Sequence, residues 1–298
     1  MTAKAVMITG TSSGFGQATV DLFLARGWNV VATRRAIPES GSTGASGRLR
    51  IVALELNDPA SIQKAATDAL AAFGRIDALI NNAGYFQMGP LETTTMEQFR
   101  AQFETNVFGL VGLTKALLPS MREAGGGTII NVSSVSAENG YPFGAAYSAS
   151  KAAVMVVTEA LNLELDPLNI SVKAILPGLH ATGIFTKIDM ADSIPAAYRP
   201  MLKRFLEMQR ASGGSAPEGV AELIYEAVTD GKRHRVRYFA GKDAVGIPTM
   251  KRLLGQEGYF HFFRNNVLNG PGRLVRCMTP SLPEKVKITP KLDQWTDG

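Results

Sequence analysis

The sequence predicts an α/β fold, a doubly wound parallel sheet of about seven strands with helices on both faces. Short runs that are apolar throughout alternate with longer stretches whose apolar residues recur at helical spacing. Wholly apolar strands belong to parallel sheets covered on both sides. A glycine-rich turn separates the first such run from the first such helix, and right-handed crossovers then wind helices onto both faces.

Ala5-Val6-Met7-Ile8 reads as a buried strand, and residues 15–26 read as a helix stopped by Gly27, a residue suited to a left-handed end. Residues 29–33 make the second strand and residues 51–56 the third. Asp58-Pro59 opens the next helix, with the Asp as cap and the Pro in the first turn. Further strands are expected at 78–80, 128–132, 170–176 and 236–239, with one long helix over 95–122 and another over 147–165. Residues 40–47, rich in Gly and Ser, suggest a surface loop. Residues 1–240 thus read as one catalytic domain with a lid at about 183–216. Residues 241–298 read as an extension packed on that domain or leading away from it, with a tail from Thr279.

A chain of 298 residues can bury one full core, and 45% hydrophobic with 19% charged residues suits a globular enzyme. The net charge of +5 raises nucleic acid as a partner, but the basic residues are scattered apart from Arg34-Arg35 and residues 232–237, so none is expected. The single cysteine, Cys277, excludes an intramolecular disulfide and a cysteine-based metal cluster; no metal site and a reducing, cytoplasmic location are expected. The first residues lack a signal-peptide pattern, and no apolar run approaches the about 20 residues that span a bilayer.

The turn Thr9-Gly10-Thr11-Ser12-Ser13-Gly14-Phe15-Gly16 lies between a strand and a helix. A dinucleotide's pyrophosphate can approach the backbone and helix N-terminus there. Gly10, Ser12, Ser13, Gly14, Phe15 and Gly16 are therefore candidate cofactor residues: Gly10 for the turn, Gly14 for phosphate room, Gly16 for close helix packing. The spacing departs from the usual Gly-x-Gly-x-x-Gly, and any glycine-rich turn has a similar look. Where the second strand ends, dinucleotide folds place an acid for NAD or an arginine for the 2′-phosphate of NADP. This chain has Arg34 and Arg35 and no acid there, which favours NADP over NAD; two solvated loop arginines are the plainer alternative.

Tyr147 and Lys151 stand four apart, on one helix face. A free tyrosine titrates near ~10, too high for acid–base work at neutral pH, and a nearby ammonium would lower it. Such a pair alone occurs on many exposed helices. Ser133-Ser134 ends an apolar strand, however, and Asn81-Asn82-Ala83-Gly84 ends the strand before it, both at the carboxyl edge where open α/β sheets bind ligands.

With these residues the chain resembles a classical short-chain dehydrogenase/reductase, a Rossmann-type family, over residues 3–241. The family's Thr-Gly-x-x-x-Gly-x-Gly turn matches at Thr9 to Gly16, its Asn-Asn-Ala-Gly segment at Asn81 to Gly84, and its helix asparagine at Asn106. Its Tyr-x-x-x-Lys matches at Tyr147 and Lys151, and its serine, thirteen positions before the tyrosine, falls on Ser134 rather than Ser133. A Pro-Gly-x-x-x-Thr segment that holds the nicotinamide carboxamide matches at Pro177, Gly178 and Thr182. The resemblance implies that Asn106, Ser134, Tyr147 and Lys151 are catalytic. Tyr147 would exchange the proton, Ser134 would bind the carbonyl oxygen, Lys151 would lower the Tyr147 pKa and bind the ribose, and Asn106 would hold a relay water. Asn82, Ala83 and Gly84 join the cofactor set, as do Glu55 and Leu56 beside the adenine. Glu55 stands where the family usually has Asp, and His180 where an aliphatic residue is commoner; a packed or solvated histidine is the favoured reading there.

Ile184, Phe185, Met190, Met201, Phe205 and Met208 in the lid, with Tyr85, Phe86, Tyr141 and Phe143 on the other rim, favour a lipophilic or aromatic ketone or aldehyde; ordinary helix packing would use the same side chains. The cluster Tyr259-Phe260-His261-Phe262-Phe263 suggests a core or interface role. A homodimer or homotetramer is expected by analogy. A catalytically silent NADP(H)-binding regulator is the main rival, although its signature, a broken Asn-Ser-Tyr-Lys set, is absent. A nucleotide-sugar enzyme would carry a different glycine spacing and a larger C-terminal part.

Overall fold

The computed structural model describes residues 3–37, 47–180, 188–211 and 216–269, apart from the side chains of residues 208–211 and 266–269. Thr182, Ile184, Phe185, the Met208 side chain, nearly all of the 40–47 loop, Cys277 and the tail from Thr279 lie outside these residues.

Seven strands form one parallel sheet: β1 (Ala5–Ile8), β2 (Asn29–Arg34), β3 (Leu49–Ala53), β4 (Ala78–Asn81), β6 (Gly127–Val132), β7 (Ile170–Pro177) and β9 (Arg237–Ala240). Their order is β3-β2-β1-β4-β6-β7-β9. The chain winds outward from β1 to β3, then returns to β4 on the other side of β1. The carboxyl ends of β1 and β4 therefore flank the crevice at which such sheets bind ligands. Helices α1 (Gly14–Ala25) and α7 (Pro217–Thr229) cover one face, where Phe23, Val30, Ile80 and Ile224 pack. Helices α2 (Pro59–Phe73) and α4 (Leu110–Glu123) cover the other, with Met7, Ile62, Leu79 and Leu113. Each such side chain, at most 7% exposed, contributes roughly 1.5–3 kcal/mol of hydrophobic stabilisation.

Local signals act as the sequence implies at several ends. Asp58 accepts from the Ala60 N–H at the start of α2 (2.9 Å), and Gly27 follows α1 at φ +82°. The third strand ends earlier than expected, at Ala53. Its partner β2 stops at Arg34, whose carbonyl takes the Leu54 N–H (2.8 Å). The next N–H, of Glu55, turns instead to Ser61 Oγ (2.9 Å).

The long helix expected over 95–122 is three segments: α3 (Met96–Phe103), a π-helical stretch Glu104–Gly109, and α4. A π turn adds a residue and re-aims the side chains around it; Asn106 lies in this one. Two short strands absent from the expected list, β5 (Gln87–Met88) and β8 (Asp189–Met190), pair in parallel beside the main sheet. Two-residue strands carry no period that a sequence pattern could reveal. After β9, α8 (Lys242–Asn269) runs in two parts, broken at Gly255 (φ +70°).

Candidate active site

The glycine turn is held by β4. Thr9 Oγ1 accepts from the Asn82 and Ala83 N–H groups (both 2.9 Å), and Asn82 Nδ2 donates to the carbonyls of Thr9 (2.8 Å) and Gly10 (3.2 Å). A Cβ on Gly10 would lie 2.8 Å from Ala83 Cα, and one on Gly16 only 2.2 Å from the Gly10 carbonyl oxygen. Gly10 and Gly14 take positive φ. Helix α1 has neither a side-chain cap nor an acid in its first turn, which leaves its opening N–H groups and positive dipole end available to an anion.

Arg34 reaches back toward this turn, donating from Nη2 to Gln17 Oε1 on α1 (3.2 Å). Its Nε is buried without a hydrogen-bond partner, a donor that a phosphate oxygen suits. Arg35 is exposed. The residues present thus fit a phosphorylated dinucleotide. Glu55 is exposed and its carboxylate accepts from Asn57 N–H (3.2 Å); Leu56 is buried against the helix bearing Gly109.

Asn81 supports the crevice from beneath. Its Nδ2 donates to Thr114 on α4 (3.1 Å) and Asn131 on β6 (2.9 Å), and Asn131 donates on to Thr158 (2.9 Å) on α5 (Ala145–Leu165). This buried chain ties both helices to the two strands between them.

Tyr147 and Lys151 lie on the first turns of α5. Lys151 Nζ donates to the Val132 carbonyl at the end of β6 (2.8 Å) and lies 5.8 Å from the Tyr147 ring centre. Burial pulls the lysine down to about 8. Burial pushes the Tyr147 phenol up, against an opposing influence of Ser134. The two serines separate clearly. Ser133 Oγ donates to the Lys151 carbonyl (2.9 Å), bracing α5 against β6, whereas Ser134 faces the phenol.

Asn106 Nδ2 donates to the Tyr85 carbonyl and to Ser150 Oγ (both 3.2 Å). A Cβ on Gly84 would approach Asn106 Oδ1 to 3.0 Å and Lys151 Nζ to 3.5 Å, so Gly84 lets these groups converge. Gln102, missed in the sequence, accepts from Gln87 N–H (2.7 Å) and donates to the Tyr85 carbonyl (2.9 Å). An isolated buried glutamine on a helix gives no pattern that could have singled it out.

The two expected rims meet as one apolar cluster around Tyr147. Phe86, Phe143 and Phe205 join it with Met88, Ile194 and Leu202, while Tyr141, Met190 and Met201 pack at its edge. Phe86 lies 4.7 Å from Tyr147 between ring centres. Tyr85 carries a phenol pushed up to about 12 by burial and by Asp189. Helix α6 (Arg199–Ala211) supplies Met201, Leu202 and Phe205. From α8, Phe263 meets Tyr141 edge-on (5.6 Å) and Tyr259 is buried, but Phe260 is exposed. His180 is buried, edge-on to Phe15. Among the described residues no helix is long and apolar enough to cross a membrane.

The seven-strand parallel sheet with a crevice at the ends of β1 and β4 defines a Rossmann-type protein, and comparison with known proteins narrows it. The family model for short chain dehydrogenases matches residues 4–192. An uncharacterized oxidoreductase of Bacillus subtilis, YusZ, is 39% identical over 256 residues, covering 81% of this chain and 90% of that protein. A 3-ketodihydrosphingosine reductase of Bacteroides thetaiotaomicron is 40% identical over 183 residues, 61% of this chain and 66% of that one.

The crystal structure of a Streptomyces avermitilis short-chain dehydrogenase superposes with a TM-score of 0.75 at 33% identity, covering 90% of this chain and 96% of that one. A 3-ketoacyl-(acyl-carrier-protein) reductase of Brucella melitensis complexed with NADH (TM-score 0.66, 28% identity, 79% and 96% covered) is also similar. So is a Burkholderia cenocepacia short chain dehydrogenase in complex with NADP (0.65, 27%, 83% and 92%). The chain belongs to the short-chain dehydrogenase family and is an oxidoreductase.

Proposed function

We propose that this oxidoreductase uses NADP(H) to interconvert a lipophilic or aromatic ketone or aldehyde with its alcohol. The observation that carries the reading is Tyr147: its phenol lies beside Ser134 and Lys151 and is set in an apolar cluster. NADP(H), when bound, supplies or accepts the hydride. Gly10, Ser12, Ser13, Gly14, Phe15 and Gly16 would hold its pyrophosphate side, Arg34 and Arg35 its 2′-phosphate, and Glu55 and Leu56 its adenine side. Asn82, Ala83, Gly84, Pro177, Gly178 and Thr182 would line the rest.

Tyr147 would give its proton to the carbonyl oxygen, while Ser134 donates a hydrogen bond to the negative charge growing on that oxygen. Lys151 would bind the ribose and replenish the phenol's proton, and Asn106 would hold the relay from Lys151 to solvent. The apolar cluster would shelter a hydrocarbon or aromatic substituent, and the name of the Bacteroides relative, a reductase of a long-chain ketone, supports that choice. Exposed Phe108, Val156 and Leu163 on the central helices support a homo-oligomer.

The test is NADPH consumption, followed by absorbance, against aromatic, aliphatic and steroid-like carbonyls, with NADH and Tyr147→Phe in parallel. Turnover that prefers NADPH and vanishes in the phenylalanine variant is expected. NADPH binding without turnover of any carbonyl would replace the reading by that of a cofactor-binding regulator.

A further inference from the structure

Strand β7 leaves the sheet through Gly178, Leu179 and His180, directly over the crevice. The Gly178 N–H still finds a strand carbonyl, that of Ala240 (2.8 Å). The Leu179 N–H is taken instead by the carboxylate of Asp243, on the first turn of α8 (2.7 Å). The same carboxylate lies over Gly178, where a Cβ would come within 2.0 Å of it, and beside Gly241, where the distance would be 2.9 Å. Gly178 is thus glycine to admit Asp243. Gly241, at φ +104°, turns the chain from β9 into the helix that presents the acid.

From there contacts continue to the cofactor turn. His180 Nδ1 lies 3.0 Å from the Gly178 carbonyl, and its ring meets Phe15 edge-on at 5.3 Å. Burial, with Tyr259 and Asp243 nearby, holds the Tyr141 phenol well above its ordinary range, and Tyr141 packs against Phe205 and Phe263. The family model ends at residue 192, so this acid comes from the part of the chain beyond it.

We infer that Asp243 is a positioning residue: by fastening residues 178–180 it sets the exit of β7, and through His180 it sets Phe15, against the bound cofactor. The inference rests on the proposed NADP(H) reading. An exit segment without this anchor has a part-buried N–H without its acceptor and loses its fixed distance from the glycine turn.

The experiment compares wild type, Asp243→Ala and Asp243→Asn in the full chain. Readouts are NADPH Kd by fluorescence titration, KM for NADPH, kcat, and the thermal midpoint. Asp243→Ala should raise Kd and KM for NADPH about tenfold, the effect of one charge-assisted hydrogen bond, with a smaller change in kcat and no matching fall in thermal midpoint. Asp243→Asn keeps an acceptor for the Leu179 N–H and should return both constants to within about threefold of wild type. Three results overturn the inference: Asp243→Ala binding NADPH like wild type, Asp243→Asn failing to restore binding, or both variants losing affinity in step with the thermal midpoint. Wild type that binds no NADPH overturns the underlying reading first, before any variant is measured.

Discussion

Asn106 grips both backbone groups of Tyr85: its Oδ1 accepts from the Tyr85 N–H and its Nδ2 donates to the Tyr85 carbonyl, each at 3.2 Å. This places the segment carrying Tyr85 and Phe86 against Tyr147. Asn106→Ala leaves the part-buried Tyr85 N–H without its acceptor, while the Tyr85 carbonyl keeps Gln102; this should cost about 1 kcal/mol and lower kcat by more than the thermal midpoint alone explains. Chemical denaturation and steady-state kinetics check both; a variant of wild-type activity would confine Asn106 to scaffolding.

The two adjacent serines should separate in function. Ser134→Ala removes the hydroxyl beside the Tyr147 phenol and should cut kcat by roughly 10²-fold, as the loss of an oxyanion donor does; it also removes the cap on the Ser136 N–H, which should cost about 1 kcal/mol of stability. Ser133→Ala breaks the bond to the Lys151 carbonyl and should cost about 1–3 kcal/mol of stability with the smaller effect on kcat. The reverse pattern would exchange the assigned roles.

Arg34 offers a buried, unpartnered Nε beside the glycine turn. Arg34→Gln should weaken NADPH binding by about 10- to 100-fold, in line with the strength of an arginine–phosphate fork, and leave NADH binding within a few-fold. Equal losses for both cofactors, measured by parallel titrations, would remove the 2′-phosphate from this residue.

Lys151 is drawn down to about 8 by burial, while Tyr147 is raised. The reductive kcat/KM should therefore fall on the alkaline side as Lys151 loses its proton near pH 8, before the phenol titrates. Stability has the opposite sign. An unfolded lysine keeps its proton to about 10.4, so between about 8 and 10.4 the unfolded chain binds more protons and this residue's contribution rises with pH. Kinetics and denaturation across that window test both signs; a flat kinetic profile from pH 7 to 9 would assign the limb elsewhere.

Gly16→Ala would put a Cβ 2.2 Å from the Gly10 carbonyl oxygen and 2.7 Å from Asn82 Nδ2. Because the obstacle is backbone, relief requires helix α1 to move. A loss of about 1–3 kcal/mol is expected, with weaker NADPH binding because the turn moves with the helix. An unchanged thermal midpoint would contradict the close packing.

The alternation of apolar runs and amphipathic stretches made the seven-strand sheet legible, since each fully buried strand writes its environment into consecutive residues, as in Val30-Val31-Ala32 and Ile129-Ile130. The glycine turn and the Tyr147–Lys151 pair were legible for a similar reason: their chemistry needs particular residue types at short, fixed spacing. The bounds of β3 were not, because a strand stops where its neighbour does, and β2 stops at Arg34. Nor was the π turn at Asn106, whose helical residues differ little in composition from their neighbours.

The sequence by itself determined the fold class, the crevice and the residue types brought to it, because local periodicity and motif spacing are properties of contiguous residues. Tertiary structure alone decided that Ser133 braces Lys151 and that burial raises Tyr147. It also decided that Arg34 turns back to Gln17, that Gln102 and Asn106 brace Tyr85, and that Asp243 reaches Leu179 across 64 positions of chain. Those outcomes depend on desolvation and on contacts between distant segments, and both come into being only when the sheet is closed by its helices.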